Sequence, residues 1–133
     1  MPSVLIVDDH RNTRESLAIG MAVAGFETET AASASEALAR AARREFDAVV
    51  SDVRMPDVDG IALCRALRAA RPGVRLILMT AYEVTAVESE TVRVLGATLL
   101  IKPVTAAALA ACCDAWPSER PEVPASPKPI GRP

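Results

Sequence analysis

Aromatic side chains are scarce in this sequence, with two Phe, one Tyr and one Trp among 133 residues. A core must therefore be assembled from Val, Leu, Ile, Ala and Met. That is feasible, because half of the residues are hydrophobic and the length suits one domain with a real interior. Net charge is equally thin, at −2. No global basic field exists to hold nucleic acid or an anionic membrane, so direct nucleic-acid binding by this chain alone is not expected. Long apolar runs are missing too. Only residues 4–7 precede the first acids, too few for a signal-peptide core or a membrane span. The expectation is a soluble, cytoplasmic protein with no membrane association. The three cysteines, Cys64, Cys112 and Cys113, have no His or Cys partner at metal-ligand spacing. They read as reduced, packed thiols, with a redox pair at Cys112 and Cys113 as the alternative. The single histidine, His10, reads as a helix-start residue beside two acids rather than as a phosphodonor or metal ligand.

What is present is alternation. Apolar runs of strand length, at residues 4–7, 27–31, 48–51, 75–79 and 97–101, are separated by segments of helical period, the pattern of βα units around a parallel sheet. Four of the runs are nearly continuous, as expected for strands covered on both faces. The stretch "FETETA" alternates instead and belongs at an edge. The first helix spans about residues 11–24, with Leu17 and Met21 inward, and stops at Gly25. Ser33 and Glu36 form a capping box for the second, in which Leu38 and Ala41 are expected to face inward. Ile61, Cys64 and Leu67 mark the third, ended by Pro72-Gly73. The fourth, "EVTAVESETVRVLG", is rich in Val and Thr, weak helix formers. Thr105 caps the fifth, which runs to about Trp116. Residues 117–133 are Pro-rich and offer almost nothing to bury, so they read as a disordered tail or a severed linker outside a domain of residues 1–116.

The polar residues fall in one relation to this pattern. Asp8 and Asp9, Asp52, Thr80 and Lys102 each sit just past the C-terminal end of a predicted strand. In an open parallel sheet those ends line one rim, where ligands bind. Three carboxylates against one ammonium are an unfavourable cluster without a counterion. An all-oxygen ligand set of this kind suits Mg²⁺. With the ion bound, one carboxylate can stay ionised as a nucleophile toward a phosphoryl group.

The stretches "VLIVDDHRN", "VVSDVRMPDVDG", "LILMTAY" and "KP", in that order and spacing, resemble the receiver domain of bacterial two-component response regulators, the CheY-like group. The likeness covers about residues 1–116. It implies an α/β fold: a (βα)₅ doubly wound, parallel five-stranded sheet in the order 2-1-3-4-5, flavodoxin-like. It further implies that Asp52 accepts a phosphoryl group from a sensor histidine kinase or histidine phosphotransferase, assisted by Thr80 and Lys102. Mg²⁺ would be held by Asp9, Asp52 and the backbone carbonyl of Arg54, with Asp8 acting through water. Pro103 matches the family's cis proline. Met55, Pro56 and Gly60 read as shaping the loop after Asp52, and Asp57 and Asp59 as loop or helix-start acids rather than ligands. The domain assists its own modification without turning over an independent substrate.

One departure stands out. The family's aromatic switch residue, three places before the Lys, is Leu99 here. Tyr82, two places after Thr80, is a possible substitute, with its ring over the pocket mouth. The uncharged "AAALAACC" and the weak fourth helix suggest a face through which the fourth and fifth helices meet a partner or form a homodimer. The alternative function is a constitutive, never-phosphorylated interaction module. A flavodoxin-type or phosphohydrolase enzyme ranks last, since "DDHRN" lacks a glycine- or hydroxyl-rich phosphate cradle.

Overall fold

Five parallel strands run in the spatial order β2-β1-β3-β4-β5. The computed structural model describes residues 2–81 and 83–114. Along the chain the elements are β1 (Ser3–Val7), α1 (Arg11–Val23), β2 (Glu27–Ala31), α2 (Ala34–Arg43), β3 (Ala48–Asp52), α3 (Gly60–Ala70), β4 (Arg75–Thr80), α4 (Ala86–Leu95), β5 (Thr98–Ile101) and α5 (Ala106–Asp114). The proposed end of the last helix at Trp116 and the Pro-rich segment 117–133 lie outside the described residues.

Side chains alternate across each strand, and the sheet therefore separates two cores. Val4, Ile6, Val50, Ile77 and Met79 face Leu17 and Met21 of α1 and Leu109 of α5. Leu5, Val7, Val49, Leu76 and Leu78 face α2, α3 and α4 through Ala37, Leu63, Leu67 and Val92. α1 and α5 approach each other closely: a Cβ built on Gly20 would lie 2.3 Å from the Cβ of Ala106, so only glycine fits that crossing. Cys64 and Cys113 are buried in these cores, and none of the three cysteines is in a disulfide. Burial pushes the Cys64 thiol up to about 12, which leaves it unreactive.

Two expectations need correcting. Leu38 does not face inward; it is 38% exposed, and α2 presents Ala34 and Ala37 to the core with Ala41 partly buried beside them. The small residues let the helix lie close to the sheet. β5 is covered on both faces only in part: Leu99 and Leu100 pack onto opposite cores but remain half-buried. It is an outer strand paired only with β4 in the sheet, and its Ile101 is 67% exposed. Position at an edge outweighs the apolar run. β2 is the other edge, as its alternation predicts.

Candidate functional site

Strand register builds the rim. Val7 of β1 pairs with Ser51, Asp52 with Met79, and Thr80 with Ile101. The residues that finish or follow these strands, Asp8, Asp52, Thr80 and Lys102, are therefore level with one another. Asp8 is completely buried, Thr80 is 1% exposed and Asp52 5%. Buried polar groups of this kind are retained only where partners or a ligand satisfy them.

Lys102 supplies part of the compensation. Its Nζ donates to Asp52 Oδ2 at 3.1 Å and stands 3.7 Å from Asp8 Oδ2. The backbone aims it there: Lys102 N donates to Thr80 O at 2.8 Å, and the Lys102–Pro103 peptide is cis. Asp8 Oδ1 accepts from His10 N at 2.8 Å. Arg14 ties the same turn from outside, donating from Nη1 to Asp8 O at 3.0 Å. These bonds leave Asp8 Oδ2 and Asp9 Oδ1 buried without a hydrogen bond. Asp52 is pulled both ways. Burial raises its pKa, the Lys102 ammonium lowers it, Asp8 and Asp9 raise it again, and the net direction is upward.

The loop after Asp52 is fixed by close contact. A Cβ on Gly60 would meet the Asp52 carbonyl oxygen at 2.1 Å, and Gly60 N donates to Val53 O at 2.7 Å. The start of α3 thus presses directly on the backbone of the buried acid. Asp59 caps that helix, accepting from Ala62 N at 2.8 Å. Asp57 reaches away from the rim to the first turn of α2, where Ser35 N donates to it at 3.3 Å. Neither acid joins the cluster. Met55 packs against the core beneath α2, α3 and α4. The Arg54 side chain leaves the rim for α4 and pairs with Glu88 at 2.8 Å, a link that no local sequence signal announces. Leu99 packs into the α4 side of the core, and Tyr82 lies outside the described residues.

Asp8, Asp9, His10 and Asp52 each offer one ligand atom to a common locus, all within 4.8 Å of one another. The orphaned carboxylate oxygens and the hard oxygen donors fit a divalent cation such as Mg²⁺. Beside Lys102 a groove of about 700 Å³ opens between Asn12 and Ser16 of α1 and the segment Pro103-Val104.

The family model of the response regulator receiver domain matches residues 4–114. The chain belongs to the response regulator receiver family. This receiver domain is 40% identical over 106 residues to the response regulator protein FleR of Pseudomonas aeruginosa, a stretch that is 80% of this chain and 22% of FleR. It therefore spans less than a quarter of that relative. Among solved structures, a CheY-like receiver domain protein from Methanospirillum hungatei matches with a TM-score of 0.81 at 29% identity, over 86% of this chain and 92% of that one. The response regulator TrrA of Thermotoga maritima, in complex with Mg²⁺ and BeF, matches with a TM-score of 0.75 at 27% identity, over 86% and 98%. The receiver domain is thus a signalling module of two-component systems. No helix among the described residues is long and apolar enough to cross a membrane.

Proposed function

We propose that this receiver domain accepts a phosphoryl group on Asp52 from the phosphohistidine of a sensor histidine kinase or a histidine phosphotransferase. A carboxylate oxygen of Asp52 attacks phosphorus in line, the P–N bond breaks, and the partner's imidazole leaves. The observation that carries this reading is a carboxylate only 5% exposed, held 3.1 Å from an ammonium and facing two further acids at a strand-end rim. Asp9, Asp52 and the Arg54 carbonyl would hold Mg²⁺, with Asp8 acting through water. When bound, the ion supplies positive charge against the phosphoryl oxygens and the acid cluster. Lys102 moves from the Asp52 carboxylate to a phosphoryl oxygen, and the Thr80 hydroxyl donates to another. The groove beside Lys102 gives the donor histidine its approach.

The modified state is read out at α4, β5 and α5. Val87 and Val94 on α4 and Ile101 on β5 are 76%, 68% and 67% exposed, an apolar surface suited to a partner or to a second copy of the domain. With Leu99 at the usual aromatic position, the readout works through packing against α4 rather than a ring rotation.

The test is direct. Incubation with acetyl phosphate and MgCl₂ should add the mass of one phosphoryl group to the wild type and none to Asp52→Asn. An unchanged wild-type mass would turn the reading toward a constitutive interaction module.

A further inference from the structure

His10 stands among the acids, yet the proposed chemistry gives it no part. It occupies the N-cap of α1, where a side chain ordinarily accepts from the free backbone N–H groups of the first turn. It makes no such bond. Its ring turns back to the rim, with Nδ1 3.3 Å from Asp8 Oδ1 and 3.4 Å from Asp9 Oδ1. Adjacent ligand atoms around a six-coordinate ion with bonds of about 2.1 Å lie about 3 Å apart, and opposite ones about 4.2 Å. The ring nitrogen and one oxygen from each of Asp8, Asp9 and Asp52 all fall within 4.8 Å of one another. At 3.3 Å and 3.4 Å from an oxygen of Asp8 and of Asp9, Nδ1 stands close to the spacing of adjacent ligands. A second observation points the same way. Asp8 Oδ2 and Asp9 Oδ1 are shut off from water with no hydrogen bond, and the Asp8 side chain is wholly buried, an arrangement a cation completes. The His10 ring is 70% exposed, so no packed neighbour opposes the short movement onto an ion.

We propose that His10 is a further ligand of the divalent cation and tunes the site toward ions that favour imidazole. Mg²⁺ is a hard ion that takes oxygen and gains little from a ring nitrogen, whereas Ni²⁺, Co²⁺ and Zn²⁺ bind imidazole well. This rests on the acid cluster being a cation site. The same Asp52 chemistry would then run with a transition-metal ion at concentrations where Mg²⁺ occupies the site only partly.

Calorimetric titration of the untagged full chain with Mg²⁺ and, separately, with Ni²⁺ tests the idea in wild type, His10→Ala and Asp9→Asn. His10→Ala should weaken Ni²⁺ by at least about tenfold while leaving Mg²⁺ within about twofold. With Cu²⁺ as a spin probe, the echo modulation of a coordinated imidazole nitrogen should be present in wild type and absent from His10→Ala. Equal losses for both ions, or none for Ni²⁺, overturn the proposal. If Asp9→Asn leaves Mg²⁺ binding unaltered, the underlying cation site is lost instead, a separate outcome. A circular-dichroism spectrum of metal-free His10→Ala that matches wild type checks the fold, because a melt would also register the lost Nδ1 contacts to Asp8 and Asp9.

Discussion

Asp52 is a charge held where water would hold it better. Its pKa is raised chiefly by burial, with Lys102 offsetting part of the effect. For an acid whose folded value lies above its ordinary one, the favourable contribution exists at low pH and disappears as pH climbs through the folded value. At neutral pH, without divalent cation, the ionised carboxylate therefore works against folding. Asp52→Asn, whose amide oxygen can still accept from Lys102, should melt at a higher temperature than wild type at about pH 7 in EDTA, and the gap should close below about pH 3.9. Thermal melts across that range check it, and a gap that widens on acidification has the wrong sign. Asp8, Asp9, Asp52, Thr80 and Lys102 were legible as a group because each occupies the same place relative to an apolar run. The partners of Arg54 and Asp57 were not. Arg54 meets a residue 34 positions away and Asp57 one 22 positions away, and neither spacing leaves a local trace.

At the scale of elements, α4 forms despite its branched residues because its ends are secured. Thr85 and Glu88 make a reciprocal capping box, and Gly96 closes the helix at φ 72°. Arg68 of α3 then fastens the far end. Its Nε donates to Leu95 O at 3.0 Å, and its Nη1 to Pro72 O at 2.7 Å and Val74 O at 2.6 Å. One guanidinium thus serves three carbonyls from two segments, and burial lowers its pKa without costing its charge. Arg68→Ala should reduce the unfolding free energy by about 2 kcal/mol. Arg68→Lys should recover only a fraction, because an ammonium lacks the planar fork. Urea denaturation of both variants measures this, and full recovery by Lys would disprove the bridging role. Helix boundaries were readable from caps and glycines. Which face α2 buries was not, because period alone does not separate Ala37 from its neighbour Leu38, and the sheet favours the smaller residue for close approach. β5 misled for another reason: Leu99 and Leu100 pack onto the two cores, but the strand lies at the sheet's edge and leaves Ile101 exposed.

For the whole molecule, the alternation of strand and helix was legible from the spacing of apolar runs and the strand order followed from the family resemblance, whereas the exposed apolar surface became visible only in the folded α4 and β5. Val87 and Val94 lie seven residues apart on one helix face, and Ile101 is exposed on β5, the strand that α4 touches. If that surface joins two copies, the phosphorylated wild type should sediment as a dimer. Val94→Asp combined with Ile101→Asp should remain a monomer while still taking up a phosphoryl group. A phosphorylated wild type that stays monomeric at high concentration removes the dimer. The contact between Gly20 and Ala106 bears on how any such signal travels. With no room for even a methyl group between them, the last helix is bolted to the first, on the opposite side of the sheet from α4. Any signal through α5 must therefore pass by touch at its outward surface and not by a slide along α1.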